Sequence, residues 1–91
     1  MSRVLSSLSS VRHRVLSTFV RLARKETDLS EKLGHLSMAM SLMSKEELEE
    51  MGVDRDGILL LASLGEDRVP DLKVAVDDAV SKLSNHFEVR T

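Results

Sequence analysis

The stretch that decides the fold is residues 42–58, which read LMSKEELEEMGVDRDGI. Ser44, followed three residues later by Glu47, forms a capping box, the sequence signature of a helix start. Gly52 supplies a residue that adopts the left-handed conformation at a helix end without strain. Asp54 then predicts the start of the next helix. The stretch therefore predicts two short helices joined by a sharp turn.

Downstream of this stretch the sequence predicts one apolar helix and one amphipathic helix. The first covers residues 55–64, ends at Gly65 and is apolar nearly all round, which predicts deep burial or a partner. Residues 66–69 are predicted to be a flexible joint, and Pro70 suits the first turn of the last helix. That last helix carries a regular apolar stripe: Leu72, Val76, Ala79, Leu83 and Phe87.

Upstream of residue 42 lies a second amphipathic helix, which Thr27 or Asp28 can cap. Its apolar residues follow one another at steps of four and three, the spacing of a seam that packs two helices together. We interpret this seam as an interaction surface, because five methionines in the chain make such surfaces adaptable. The seam consists of Leu29, Leu33, Leu36, Met40 and Met43.

Residues 3–25 predict a long N-terminal helix that is apolar on one side and basic on the other. Its main apolar row is Val4, Leu8, Val11, Val15, Phe19 and Leu22. Further apolar residues, Leu5, Leu16, Val20 and Ala23, widen the apolar arc to about half of the helix circumference. Arg12 interrupts this arc, and we expect its stem to lie along apolar surface while its charged end reaches water.

Composition indicates an all-α fold of four or five helices. Ninety-one residues suit one domain, and the chain has no cysteine and only two aromatic residues. A core of Leu, Val, Met and Ala favours helices. The single domain spans 1–91: a basic helix in 1–25, the stretch 42–58 and a C-terminal helix in 66–91. Absence of cysteine fits a reducing compartment, and we expect a cytoplasmic protein.

Charge is divided unevenly along the chain. Residues 1–25 carry six Lys or Arg and no acid, whereas residues 26–91 carry seven Lys or Arg and fifteen Asp or Glu, which together give the net −2. Either the basic helix packs on the acidic remainder, or it binds a polyanion such as RNA through phosphate contacts. The residues predicted to contact nucleic acid are Arg3, Arg14, Arg21, Arg24 and Lys25.

No motif of catalysis or metal binding is present in the sequence. There is no glycine-rich phosphate loop and no pair of histidines one helical turn apart. His13, His35 and His86 are far apart in sequence, and we interpret them as scattered structural or surface residues. The segment from Asp54 to Gly57 does not match a calcium loop. We therefore predict a protein that is not an enzyme, with no metal, no cofactor and no small-molecule substrate.

One stretch resembles a known family. Ser44, Glu47, Leu48, Gly52, Arg55 and Ile58 fall, without a gap, in the register of the YjiS-like family, a domain of unknown function in small arginine-rich bacterial proteins. The resemblance covers residues 42–58, and the acid-free basic helix upstream is also usual in the family. It implies a small bacterial regulator, associated with RNA binding. Sterile-alpha-motif interaction domains show a similar helix end.

Three functions follow from these patterns. The first is a regulatory or adaptor protein that binds RNA through the basic helix, weakly specific because almost no aromatic residue is available for stacking. The second is a protein-interaction module or homo-oligomer that uses Leu- and Met-rich helix faces. The third is attachment of the N-terminal helix to an anionic membrane surface. For Arg55 we expect either a surface contact or an ion pair with Glu47 or Glu50.

Overall fold

Three of the helices begin directly after the predicted capping residues Asp28, Ser44 and Asp54. The computed structural model describes the backbone of residues 2–87 and the side chains of residues 11–87. The described helices are α1 (Ser2–Lys25), α2 (Leu29–Ser41), α3 (Lys45–Glu50), α4 (Arg55–Ser63), a 3-10 turn (Glu66–Arg68) and α5 (Val69–His86). Since residues 2–87 contain no strand, the prediction of an all-α fold with four or five helices is confirmed.

Local hydrogen bonds set the start of three helices. The Asp28 carboxylate accepts from the Glu31 N–H and caps α2, and the Asp54 carboxylate accepts from the Gly57 N–H and caps α4. The Ser44 hydroxyl accepts from the Glu47 N–H, while the Glu47 carboxylate accepts from the Ser44 N–H. The predicted capping box is therefore confirmed.

Two turns require a glycine. Gly52 has a φ of 76° and Gly65 a φ of 96°, both in the region where a side chain would clash with the backbone. The turn at Gly52 is also held from α5, because Lys82 donates to the Gly52 carbonyl at 2.9 Å. The region predicted as a flexible joint is instead helical, since residues 66–68 form the 3-10 turn and Val69 already begins α5.

The core lies where α1 packs against α2 and α5, and α4 closes it by packing against α5. Leu16, Leu36, Met40, Leu48 and Leu83 are fully buried there. The predicted stripe on α5 is confirmed, because its four aliphatic residues are buried and Phe87 packs against the core.

The seam on α2 faces this core and is not an interaction surface. Leu36, Met40 and Met43 are buried, and Leu29 and Leu33 pack against the buried cluster. The prediction of an interaction surface at Leu29, Leu33, Leu36, Met40 and Met43 is therefore wrong. The physical reason is that α1 and α5 of the same chain already cover the seam.

On α1 the residues that are buried are not those of the predicted main apolar row. Leu16, Val20 and Ala23 are buried, whereas Val11 and Leu22 of the main apolar row are 55% and 43% exposed. The apolar arc is wider than the surface that α2 and α5 cover, so one edge of it faces solvent. Of the two alternatives predicted for α4, deep burial is wrong, because Ile58 is buried while Leu59 and Leu60 are exposed.

Candidate functional site

The solvent side of α1 carries a row of cations, which we call the basic row: Arg14, Arg21 and Lys25. All three are exposed. Steps of seven and four residues place them on one face of the helix, spread over about 16 Å at the usual rise of 1.5 Å per residue. Because residues 1–25 contain no acid, no carboxylate of α1 neutralises this row.

The other residues predicted to contact nucleic acid lie elsewhere or outside the described side chains. Arg24 points away from the basic row and lines cavities beside α2 and α5. Arg3 falls among the residues whose side chains the structure does not describe. Within the row, the Thr18 hydroxyl donates to the Arg14 carbonyl at 2.8 Å. The Thr18 hydroxyl therefore uses its proton in a hydrogen bond to the helix backbone.

An apolar strip borders the basic row. Val11, Val15 and Leu22 lie on one helical face at steps of four and seven, and they are 55%, 37% and 43% exposed. Helical geometry places this face directly beside the one that holds the cations. The outer side of α1 is therefore amphipathic, although its opposite side is buried in the core.

Arg12 is a structural residue, because its partly exposed guanidinium contacts α3 and the segment before it. Its guanidinium donates to both oxygens of the Glu47 carboxylate, at 2.8 and 3.0 Å, and to the Leu42 carbonyl at 3.0 Å. The Ser44 N–H and the Arg12 guanidinium together lower the pKa of the Glu47 carboxyl. The Arg12 side chain is still 44% exposed, in agreement with an end that reaches water, and its contact with Glu47, which the sequence did not predict, ties α1 to α3.

The motif residues are occupied mainly by structural contacts. Leu48 and Ile58 are buried, and Ser44, Glu47 and Gly52 make the cap and turn described above. Of the two alternatives predicted for Arg55, the ion pair with Glu47 or Glu50 is wrong. Arg55 lies 3.9 Å from the adjacent Asp56 carboxylate, because the turn at Gly52 starts α4 in a new direction and Glu47 already pairs with Arg12.

Two of the three histidines contact the same aromatic ring, although they are far apart in sequence. The rings of His13 and His86 both contact Phe87 edge-on, with centroid distances of 5.4 and 4.8 Å. These contacts fix the end of α5 against α1. Within the described part of the chain, no group of three or more His, Asp or Glu residues is placed to hold a metal ion.

Sequence reasoning missed a polar cavity at the junction of α1, α2 and α5. Arg24, Lys32, Asp77 and Ser84 are among the residues that line it. The available signal was a serine, Ser84, directly after the apolar stripe residue Leu83 of α5. A single serine in a helix has many ordinary roles, so this signal alone does not predict a cavity.

Comparison of the chain with protein-family models, curated proteins and solved structures found no match. None of the described helices is both long enough and apolar enough to cross a lipid bilayer.

Proposed function

We propose that this chain is a non-enzymatic regulatory or adaptor protein that binds RNA by its phosphate backbone, through the basic row of α1. The observation that carries the proposal is the exposure of Arg14, Arg21 and Lys25 on one face of an acid-free helix. Arginine and lysine on such a face make phosphate contacts that position a nucleic acid without reading its bases.

The composition of the row defines the kind of binding. The basic row contains no aromatic side chain on which a base could stack, so base stacking contributes little to binding. We therefore expect the row to bind RNAs of different base sequence about equally well. Three phosphate contacts to a single strand predict that affinity falls roughly 20-fold between about 50 and about 200 mM salt. The resemblance of residues 42–58 to a family associated with RNA supports the same function.

Charge reversal on the row tests the proposal. The double variant Arg14→Glu, Arg21→Glu is expected to abolish binding of a fluorescent single-stranded RNA in an anisotropy titration, while its helical circular dichroism is retained. The matched control, Lys45→Glu with Arg68→Glu, changes the net charge equally at two exposed residues outside α1. Equal losses in both double variants, or binding that ignores salt, would refute the proposal.

A second candidate function, self-association, is favoured by the leucines of α4. Leu60 of α4 and Leu64, the residue directly after α4, are 60% and 52% exposed and lie about one helical turn apart. Leu59 is also exposed. Apolar residues grouped in this way are typical of interaction sites. If they join two copies, Leu60→Gln with Leu64→Gln reduces the mass measured by light scattering at high concentration. Val74→Gln on α5 is the control, and a wild-type monomer would exclude this function.

The apolar strip beside the basic row provides the test for membrane attachment. An anionic bilayer would contact both the cations and Val11, Val15 and Leu22, whereas RNA needs only the cations. Co-sedimentation with phosphatidylserine vesicles therefore distinguishes the two ligands. Val11→Ser with Val15→Ser is expected to leave RNA binding unchanged, and a loss confined to vesicle binding would assign this face to the membrane.

A further inference from the structure

A polar cavity of about 240 Å³ lies where the end of α1 and the start of α2 meet the second half of α5. Arg24 of α1 and Lys32 of α2 line one side of it. The other side consists of residues from α5: Asp77, Val80, Ser81, Ser84 and Asn85. Three helices therefore bring two cationic residues, one carboxylate residue, two serines and an asparagine to one place.

Ser84 is the residue in this cavity that the fold itself does not explain. It is 4% exposed, and its hydroxyl has no hydrogen-bond partner among the described residues. Two hydroxyls of other helices, by contrast, do find a backbone acceptor: Thr18 donates to the Arg14 carbonyl and Ser63 donates to the Leu60 carbonyl. A buried hydroxyl without a partner destabilises the fold. A ligand in the cavity would give this hydroxyl the partner that the chain does not provide.

The charge around the cavity favours an anion. The Lys32 ammonium is held at the cavity by the Asp77 carboxylate, at 3.2 Å. An adjoining cavity shares Arg24, Lys32 and Asp77 and adds Lys25, Glu26 and Lys73. Among the described residues that line the two cavities, four are cations and two are carboxylates, so cations are in the majority there.

We propose that this cavity binds a phosphate-type oxyanion. Arginine and lysine supply charge-assisted donors, and hydroxyl and amide groups supply the further donors that a tetrahedral oxyanion accepts from. The volume is below the range of cavities that hold drug-sized ligands, so a single phosphate group is the appropriate size. That group comes either from free inorganic phosphate or from the end of an RNA chain. The proposal does not depend on RNA binding by the basic row.

Ser84→Ala gives a signature that a purely structural role would not produce. Removing an unpartnered hydroxyl is expected to raise the melting temperature of the free chain or leave it unchanged. The same change is expected to weaken phosphate binding about fivefold, the worth of one hydrogen bond. Ser63→Ala, which removes a helical hydroxyl outside the cavity, is the matched control and is expected to leave binding unchanged.

The experiment is a calorimetric titration of the full chain with inorganic phosphate, repeated with chloride at equal ionic strength. Asp77→Asn removes a carboxylate from the cavity and is expected to tighten phosphate binding, whereas a cation site would be weakened. A second arm compares short RNAs with and without a 5′-phosphate. If the chain prefers the phosphorylated RNA and Ser84→Ala reduces that preference, the phosphate in the cavity comes from RNA. If only inorganic phosphate binds, the ligand is the free ion.

Three results would overturn the proposal: equal binding of phosphate and chloride, equal phosphate affinity in Ser84→Ala and wild type, or no phosphate binding in either arm. RNA binding that is lost in Arg14→Glu, Arg21→Glu but unaffected by Ser84→Ala would support the basic row and exclude RNA as the source of the phosphate in the cavity. The two proposals therefore fail independently.

Discussion

Arg12 and Glu47 form a forked contact between α1 and α3. One guanidinium nitrogen of Arg12 lies 2.8 and 3.0 Å from the two carboxylate oxygens of Glu47, and the same guanidinium donates to the Leu42 carbonyl. Glu47 also completes the capping box of α3 by accepting from the Ser44 N–H at 3.1 Å. One carboxylate therefore completes the capping box of α3 and also joins α3 to α1, through two residues that are 35 positions apart in sequence.

A double-mutant cycle on this pair measures its strength. Each side chain is 44% exposed, so solvent screens the charges, and we expect a coupling free energy of about 0.5–1 kcal/mol between Arg12→Gln and Glu47→Gln in urea unfolding. The cycle cancels the separate loss of the capping box. A cycle on Lys45 and Asp56, which lie 3.9 Å apart and are more exposed, is the control with an expected coupling near zero. Equal coupling in the two pairs would contradict the structure.

The lowered pKa of Glu47 predicts a loss of stability in acid. Donation from the Ser44 N–H, followed by the Arg12 guanidinium, holds this pKa below its usual 4.5. The folded state therefore binds a proton less readily than the unfolded state, and the contribution of Glu47 is present above pH 4.5 and lost as pH falls through the folded-state pKa.

Comparison with Glu47→Gln isolates this effect from other carboxyls. The pKa of Glu26 is also lowered, chiefly by the Asp28 N–H, whereas that of Glu31 is raised, chiefly by its hydrogen bond with Glu26. Both remain in the variant. The difference in unfolding free energy between wild type and Glu47→Gln should therefore shrink between neutral pH and about pH 3. A difference that stays constant over that range would show that the Glu47 charge is not stabilised.

Two glycine-to-alanine changes are predicted to have opposite signs. Gly52 has a φ of 76°, and an added Cβ would lie 3.3 Å from the Lys82 Nζ that binds the Gly52 carbonyl. Gly52→Ala should therefore destabilise the fold by about 1–2 kcal/mol, the usual excess of the left-handed conformation. Gly34 lies inside α2 with nothing within 4 Å of the added atom, so Gly34→Ala should stabilise by about 1 kcal/mol. Thermal denaturation of both variants checks the signs.

Features that depend on neighbours in sequence could be predicted, and those that depend on packing could not. The caps at Asp28, Ser44 and Asp54 and the turn at Gly52 need only residues within one helical turn, so their pattern is visible in the chain. The choice of the buried row on α1 depends on where α2 and α5 lie. For the same reason, the pairing of Arg12 with Glu47 left no local signal.

The candidate sites follow the same division. The exposure of Arg14 and Arg21 could be predicted, because they lie opposite the apolar arc on their own helix. The cavity at Ser84 could not, since its cations come from α1 and α2 and its hydroxyls from α5. Only the packing of three helices brings those groups together.

Two leucine substitutions separate core from surface most directly. Leu36 of α2 is fully buried, so Leu36→Ala leaves a cavity and should lower the unfolding free energy by about 3 kcal/mol. Leu60 of α4 is 60% exposed, so Leu60→Ala should change stability by no more than about 0.5 kcal/mol. Urea unfolding at low protein concentration, where copies do not associate, measures both. A loss in Leu36→Ala as small as that in Leu60→Ala would mean that α2 does not face the core and that its seam is available as a surface.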